Sequence, residues 1–306
     1  MTKLDTSCPR YLSPSDDGVG GEDSPTLVGV NIASAPKYSP FRYPGGKTWL
    51  APVLREWLSS KPKQFICEPF AGGGIASLIA VYEGYVENAL LVEKDRGVAA
   101  VWRASLSQEA ERLVDKILAF KISKSTVGKL LSKVPRSNVD LAFQTIVKNR
   151  CRHGGILTES AGLLIRGERE KGLSSRWYPE TLANRICLIH LHRKQIAFLE
   201  EDGLKVLRQM NTRKEKIKLF VDPPYPKLMQ SGVRPLYNHV NLDHPKLFEL
   251  LRRSKHDFLT TYDDSIYARK LAFEADLCCT TIAMKNNRSA AKVELLIGRN
   301  AFRPST

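Results

Sequence analysis

The part of the sequence that most constrains the fold is residues 65–78, where a short apolar segment meets three consecutive glycines and then a second apolar segment. The first segment has the composition of a buried strand, and the second begins a helix. Glycines let the backbone approach a ligand closely and leave the first N–H groups of the following helix free to bind it. We therefore expect the first strand-turn-helix unit of an α/β fold, with a nucleotide-like cofactor at residues 72–74.

Two further strand ends carry acidic residues that suit an adenosine-containing cofactor. The apolar run 89–92 ends at Glu93, which is the position of a ribose ligand in the second strand of such a unit. The run 195–199 ends in an acidic cluster, from which we select Asp202 as the contact for an adenine amine. Ser77 stands where a dinucleotide fingerprint has Gly or Ala, and this disfavours NAD as the cofactor.

The candidate catalytic motif is Asp222-Pro223-Pro224-Tyr225, which follows the apolar run 217–221. The prolines fix φ and end the strand, so a rigid corner follows a buried strand. The Asp222 carboxylate and the Pro223 carbonyl only accept hydrogen bonds, so together they suit the two N–H bonds of an exocyclic amine. Tyr225 is placed to stack on the base that carries the amine. The alternative is a proline-rich turn in which Asp222 only starts the turn.

Composition narrows the class of partner and compartment. Lys and Arg number 47 against 32 Asp and Glu, a net charge of +15 that favours a polyanionic partner, although a solvated basic surface is the alternative. The six cysteines show no CxxC or His/Cys metal spacing, so we expect reduced thiols, no metal and a cytoplasmic protein. With DNA as the polyanionic partner, the protein would be nucleoid-associated. No apolar run approaches membrane length.

The regular alternation of strands and helices is interrupted between about 104 and 190. Residues 107–120 and 137–149 have helical patterning, and a Gly-rich and Arg-rich stretch follows. Basic and aromatic residues interleave there as in nucleic-acid contact surfaces, with a solvated loop as the alternative. The residues selected as DNA contacts are Lys148, Asn149, Arg150, Arg152 and Arg176.

Residues 46–48, Gly-Lys-Thr, look like the end of a phosphate loop. Such a loop needs a glycine five residues earlier, and Phe41 stands there, so the sequence disfavours a nucleoside triphosphatase. A glycine turn with a lysine at a helix start still suits an anion.

In this order, the motifs resemble the Dam-type family of DNA adenine N6-methyltransferases. The matching stretches, spread over roughly 39–300, are 43–47 (YPGGK), 68–74 (EPFAGGG), 148–150 (KNR), 175–179 (SRWYP), 222–225 (DPPY), 261–264 (TYDD) and 293–297 (VELLI). The resemblance implies a Rossmann-like methyltransferase sheet, S-adenosylmethionine as methyl donor, double-stranded DNA as partner and an inserted, mostly helical target-recognition region. A companion restriction endonuclease, as in restriction-modification pairs, is not visible in the sequence.

The resemblance also assigns roles to individual residues. The cofactor contacts it implies are Tyr43, Lys47, Phe70, Gly72, Gly74, Glu93, Asp202 and Asp222, while Asp222 and Pro223 bind the target amine and Tyr225 stacks. The expected organisation is a disordered tail at 1–38, a catalytic domain at 39–105 and 191–306, and the insert at 106–190.

The chain departs from the family pattern at three places. The family commonly has Trp at the position of Tyr43 and Asp at that of Glu93, and the insert between Arg150 and Arg176 lacks the GATC-reading hairpin. GATC is therefore not assumed as the target. The alternatives are methylation of RNA adenine or of cytosine N4, and a catalytically inactive DNA-binding regulator that keeps the fold.

Overall fold

The protein is built around one eight-stranded sheet with helices on its faces. The computed structural model describes residues 28–30, 37–42, 46–60, 64–157, 162–164, 172–225, 242–284 and 292–300. The strands are β1 (Val28–Val30), β2 (Phe65–Glu68), β3 (Asn88–Glu93), β4 (Ile196–Glu200), β5 (Lys218–Val221), β6 (Asp257–Asp263), β7 (Cys278–Met284) and β8 (Lys292–Gly298). The helices are α1 (Ala51–Ser60), α2 (Ile75–Tyr82), α3 (Arg96–Leu106), α4 (Ala110–Ala119), α5 (Lys124–Leu131), α6 (Asn138–Cys151), α7 (Pro179–Leu191), α8 (Gly203–Met210), α9 (His244–Arg253) and α10 (Ile266–Glu274).

The strand order places two sequence motifs side by side. The order is β1-β7-β8-β6-β5-β2-β3-β4, and every pairing is parallel except those that β8 makes with β6 and β7. The chain winds outwards from β2 through β3 to β4 on one side and from β5 to β6 on the other, so the order reverses between β2 and β5. Ligands bind outside the carboxyl ends of the strands at such a reversal. This arrangement confirms the predicted Rossmann-like α/β sheet.

The inserted helices do not form a core of their own. Leu113 of α4, Val127 of α5, Ile146 of α6 and Ile186 of α7 are fully buried in the same hydrophobic cluster as Trp102 of α3. The described part of residues 106–190 is mostly helical, as predicted, and it packs as a continuation of the layer that covers the sheet. Among the described helices, none is long and apolar enough to cross a membrane.

The N-terminal segment differs from the expectation of a disordered tail over residues 1–38. Val28–Val30 forms β1, which pairs in parallel with Ile282, Ala283 and Met284 of β7 and extends the sheet by one edge strand. Valine favours extended backbone, and a short parallel strand at an edge needs only its backbone groups to pair. Residues 1–27 and 31–36 lie outside the described part of the chain.

Candidate active site

A cavity of about 650 Å³ opens at the point where the strand order reverses. The glycine turn 72–74 forms one wall, and Lys47, Asp222 and Pro224 form a second. Arg150 and Arg185, from helices α6 and α7, line the same space. The cavity is therefore shared by the glycine turn after β2, the corner after β5 and the inserted helices.

The glycine turn is shaped by tight packing. Gly72 and Gly74 have φ of 46° and 64°, a backbone region that side chains disfavour. The Trp102 indole N–H donates a 3.0 Å hydrogen bond to the Gly72 carbonyl, and a Cβ on Gly74 would lie 2.8 Å from the same ring. Phe70 also lines the cavity, and its ring packs where Gly203 has no side chain. The turn thus presents bare backbone to the cavity.

Glu93 lies at the cavity wall, as the sequence predicts for a ribose ligand. Its carboxylate also holds the glycine turn, because Oε2 accepts a hydrogen bond from the Gly72 N–H at 3.0 Å. The other oxygen, Oε1, accepts from the N–H groups of Lys94 and Asp95 at 2.7 and 2.8 Å. Burial raises the pKa of Glu93 to about 6, although these backbone hydrogen bonds oppose the shift.

Asp202 also lines the cavity, where it is the N-cap of α8. Its Oδ1 accepts from the N–H groups of Leu204 and Lys205, and its Oδ2 lies 3.0 Å from Nζ of Lys94. Burial by itself would raise the pKa of Asp202, but the hydrogen bonds from Lys94 and the backbone, together with the Lys94 charge, outweigh it and lower the pKa. Glu93 and Asp202 therefore border one cavity, on adjacent strand ends, and their contacts with the ribose and the adenine of a cofactor stay predictions.

Glu68, to which the sequence analysis gave no role, is a buried carboxyl group beside the glycine turn. Its Oε2 accepts a 3.0 Å hydrogen bond from the Ser77 N–H in the first turn of α2, and it lines the cavity. Burial raises the pKa of Glu68 to about 8, and the Asp222 charge adds to the shift. Ser77, whose presence disfavoured NAD, therefore helps to anchor a carboxyl group under the turn.

Asp222 receives three donors on one oxygen. Its Oδ1 lies 2.9 Å from Nζ of Lys47 and accepts hydrogen bonds from the hydroxyls of Thr261 at 2.7 Å and Tyr225 at 3.1 Å. Among the residues that the structure describes, no partner bonds Oδ2. Asp222 is only partly buried and faces the cavity, so this second oxygen is placed to accept a hydrogen bond from a ligand. Pro223 next to it is buried.

Glu294 completes this cluster from β8, the strand antiparallel to β6. Its fully buried carboxylate lies 3.4 Å from Nζ of Lys47 and accepts from the Tyr225 hydroxyl at 3.3 Å. Burial by itself would lower the pKa of Lys47, but the negative charges of Asp222 and Glu294 outweigh it and raise the pKa. A lone acid between Val293 and Leu295 of an apolar run is the sequence signal that could have revealed this partner.

Tyr225 does not present an open ring to the cavity as the stacking prediction requires. Its ring stacks on Tyr262 with centroids 5.5 Å apart and an interplanar angle of 18°, and Nζ of Lys47 lies 5.0 Å from its centroid. Burial, together with the charges of Asp222 and Glu294, raises the pKa of Tyr225. A base that stacks on Tyr225 has to rearrange these contacts.

Two of the predicted DNA contacts lie in the interior of the protein. The Asn149 side chain accepts from the Arg42 N–H and donates to the carbonyls of Arg42 and Gly155, at 2.8 to 2.9 Å. Arg150 is 4% exposed and donates to the Pro40 carbonyl. Both side chains contact the segment 39–42, whereas the interleaved basic and aromatic composition predicted that they lie on a nucleic-acid contact surface.

The remaining predicted contacts are partly exposed. Arg152 donates to the Leu157 carbonyl at 2.9 Å, and Lys148 and Arg176 also have partly exposed side chains.

The predicted cofactor contact Tyr43 lies outside the described residues. In the described part of the chain, no group of three or more His, Cys, Asp or Glu residues is arranged to hold a metal ion.

A scan against protein-family models finds no matching family, and a search of curated proteins finds no match. Three solved structures are similar: a proposed RNA methyltransferase from Pyrococcus horikoshii, a proposed class I S-adenosylmethionine-dependent methyltransferase from Listeria monocytogenes, and the rRNA methyltransferase AviRa from Streptomyces viridochromogenes. Their identities are 10%, 11% and 12% and their TM-scores 0.38, 0.36 and 0.38. The alignments cover 89%, 89% and 88% of this chain and 91%, 65% and 89% of the other chains. Likeness of this degree carries no argument about function, which rests on the site.

Proposed function

We propose that the protein is an S-adenosylmethionine-dependent methyltransferase that methylates the N6 amine of adenine in double-stranded DNA. The observation that carries this proposal is that Asp222 and the glycine turn 72–74 line one cavity. A cofactor bound at the turn and a base held at Asp222 would share that space, which direct transfer between them requires.

The residues of the cavity fit the cofactor. Gly72 and Gly74 form a bare cradle in which a Cβ at position 74 would collide with Trp102, and the first N–H groups of α2 follow it. Glu93 and Asp202 offer carboxylate oxygens for ribose hydroxyls and an adenine amine. When bound, the cofactor supplies an electrophilic methyl group on a sulfonium.

Asp222 would bind and orient the amine. Its Oδ2 accepts one amine N–H, and the Pro223 carbonyl is the second acceptor. The bound cofactor would supply its methyl group to the adenine nitrogen and leave as a neutral thioether, and the methylated amine would release one proton to solvent. Asp222 stabilises the positive charge that develops on nitrogen, so it acts by electrostatics and position. The base reaches the cavity by leaving the duplex stack.

The test is an assay of the full-length protein with methyl-labelled S-adenosylmethionine and unmethylated genomic DNA, followed by mass spectrometry of the nucleosides. We expect N6-methyldeoxyadenosine from the native protein and none from Asp222→Asn. Glu249→Gln, on the surface of α9, is the matched control and should methylate normally. Label in RNA or on cytosine N4 would replace the DNA adenine assignment, and cofactor binding without any methylated product would favour the inactive regulator.

A further inference from the structure

Arg150 and Arg185 approach the cavity from the inserted helices and have no acidic partner among the described residues. Arg150 donates to the carbonyl of Pro40. Arg185 donates to the carbonyl of Ser39, the residue before Pro40, at 2.9 Å. The two carbonyls are consecutive in the chain, and the Arg185 charge acts on Arg150, so the two guanidinium groups lie within electrostatic range of each other. Both residues line the cavity, and Arg42, two residues after Pro40, lines it as well.

The environment of Arg150 is unusual for an arginine. The residue is 4% exposed, and its Nε has no hydrogen-bond partner within the described part of the chain. Burial, followed by the positive charges of Arg185, Arg42 and Arg176, lowers the pKa of Arg150 to about 9. Burial and the charge of Arg42 also lower the pKa of Arg185. A buried arginine is ordinarily paired with a carboxylate, since an isolated charge is poorly solvated in the interior.

We propose that Arg150, Arg185 and Arg42 form an anion subsite in the wall of the cavity, which takes a phosphate group of the substrate backbone next to the extruded base. Guanidinium groups bind phosphate oxygens in a bidentate fork, and a dianion or monoanion here would relieve the repulsion among the arginines. The choice of a phosphate rests on the proposed function. The same oxygen chemistry could come from the carboxylate of the cofactor's amino-acid end, so the experiment separates the two sources.

The variant to make is Arg185→Gln, which removes the charge but keeps an N–H donor for the Ser39 carbonyl. Arg252→Gln, an exposed residue of α9, removes the same charge at the surface and is the control. The first measurement is the melting temperature with increasing inorganic phosphate, compared with chloride at equal ionic strength. A bound anion stabilises the folded state by mass action. We expect phosphate to raise the melting temperature of the native protein and of Arg252→Gln, and to lose most of this effect in Arg185→Gln.

The second measurement identifies the source of the anion. Binding of a short DNA duplex is followed by fluorescence anisotropy at several salt concentrations, and binding of S-adenosylmethionine by calorimetry. Loss of one phosphate contact lowers the slope of log affinity against log salt by about 0.9. A lower slope with unchanged cofactor affinity assigns the subsite to the backbone phosphate, and the reverse assigns it to the cofactor carboxylate.

The melting experiment needs no methyl transfer, so it separates this inference from the proposed function. If phosphate stabilises Arg185→Gln as much as the native protein, there is no anion subsite, whatever the protein methylates. If phosphate stabilisation depends on Arg185 but no nucleic acid binds, the subsite stands and the choice of a backbone phosphate is wrong.

Discussion

The ammonium of Lys47 lies 2.9 Å from Oδ1 of Asp222, inside a cluster whose second carboxylate is the fully buried Glu294. One positive charge between two negative ones leaves the group with a net charge of −1. Lys47 therefore holds Asp222 in place without cancelling the negative charge that faces the cavity. This arrangement suits an amine that becomes positively charged during transfer.

The first prediction concerns the stability of this cluster. Glu294→Gln should lower the free energy of unfolding by about 3 kcal/mol, because breaking a buried ion pair leaves the partner charge poorly compensated. Lys47→Met combined with Glu294→Gln should lose less than the sum of the two single variants. Urea denaturation measures both effects. Additive losses in the double variant would show that the two side chains do not interact in the folded protein.

The second prediction concerns Gly74, which combines a φ of 64° with a close approach of Trp102. Gly74→Ala should cost about 1 to 2 kcal/mol in backbone strain and about 1 to 3 kcal/mol more from crowding. Gly84→Ala is the matched control, since Gly84 has a φ of 75° and a Cβ added there would meet nothing within 4 Å. Denaturation of both variants separates strain from crowding, and calorimetry should show weaker cofactor binding for Gly74→Ala alone. Equal losses would mean that Trp102 moves aside without penalty.

The third prediction concerns the pH dependence of stability. Burial raises the pKa of Glu68 to about 8, so between about pH 4.5 and 8 the folded protein keeps a proton that the unfolded chain releases. The contribution of Glu68 to stability therefore falls as the pH rises through this window, by at most about 1.4 kcal/mol per pH unit for one proton. Glu68→Gln should flatten the profile, leaving the smaller contribution of Glu93, whose pKa is about 6. The same slope in the native and variant proteins would contradict the buried protonated state.

The fourth prediction separates the role of the Tyr225 ring from that of its hydroxyl group. Tyr225→Phe keeps the ring that stacks on Tyr262 and removes the hydroxyl bonds to Asp222 and Glu294. Tyr225→Ala also removes the ring, and should weaken substrate engagement by the roughly 1 to 3 kcal/mol of one base–aromatic stack. Single-turnover methylation measures both variants. A Tyr225→Ala rate equal to that of Tyr225→Phe would exclude stacking of the target base on this residue.

Local patterns in the sequence predicted the sheet and the cavity wall well. The strands before Glu93 and Asp222 and the turn at 72–74 are each predictable from a few consecutive residues. Parallel strands then bring their carboxyl ends to one edge of the sheet. The parts that the sequence did not reveal depend on contacts between distant residues. The lone acid in its apolar run marks Glu294 as unusual, but its approach to Asp222 depends on the antiparallel placement of β8 beside β6, which that run does not encode.

Burial of polar residues on a helix face was the other feature that the sequence did not reveal. Asn149 and Arg150 have the composition of a surface, and their burial depends on the carbonyls that the segment 39–42 offers them. The edge strand Val28–Val30 was missed for a related reason, since three residues paired through their backbone leave little pattern in a segment rich in Ser, Gly and Pro.

The clamp on residues 39–42 has a consequence for protein engineering. Asn149 and Arg150 of α6 and Arg185 of α7 hold this short segment by its backbone, only a few residues before Lys47. The inserted region 106–190 therefore cannot be exchanged on its own for the corresponding region of another protein. A working graft would have to carry segment 39–42 with the donor helices, so that the three side chains and the backbone that they bind stay matched.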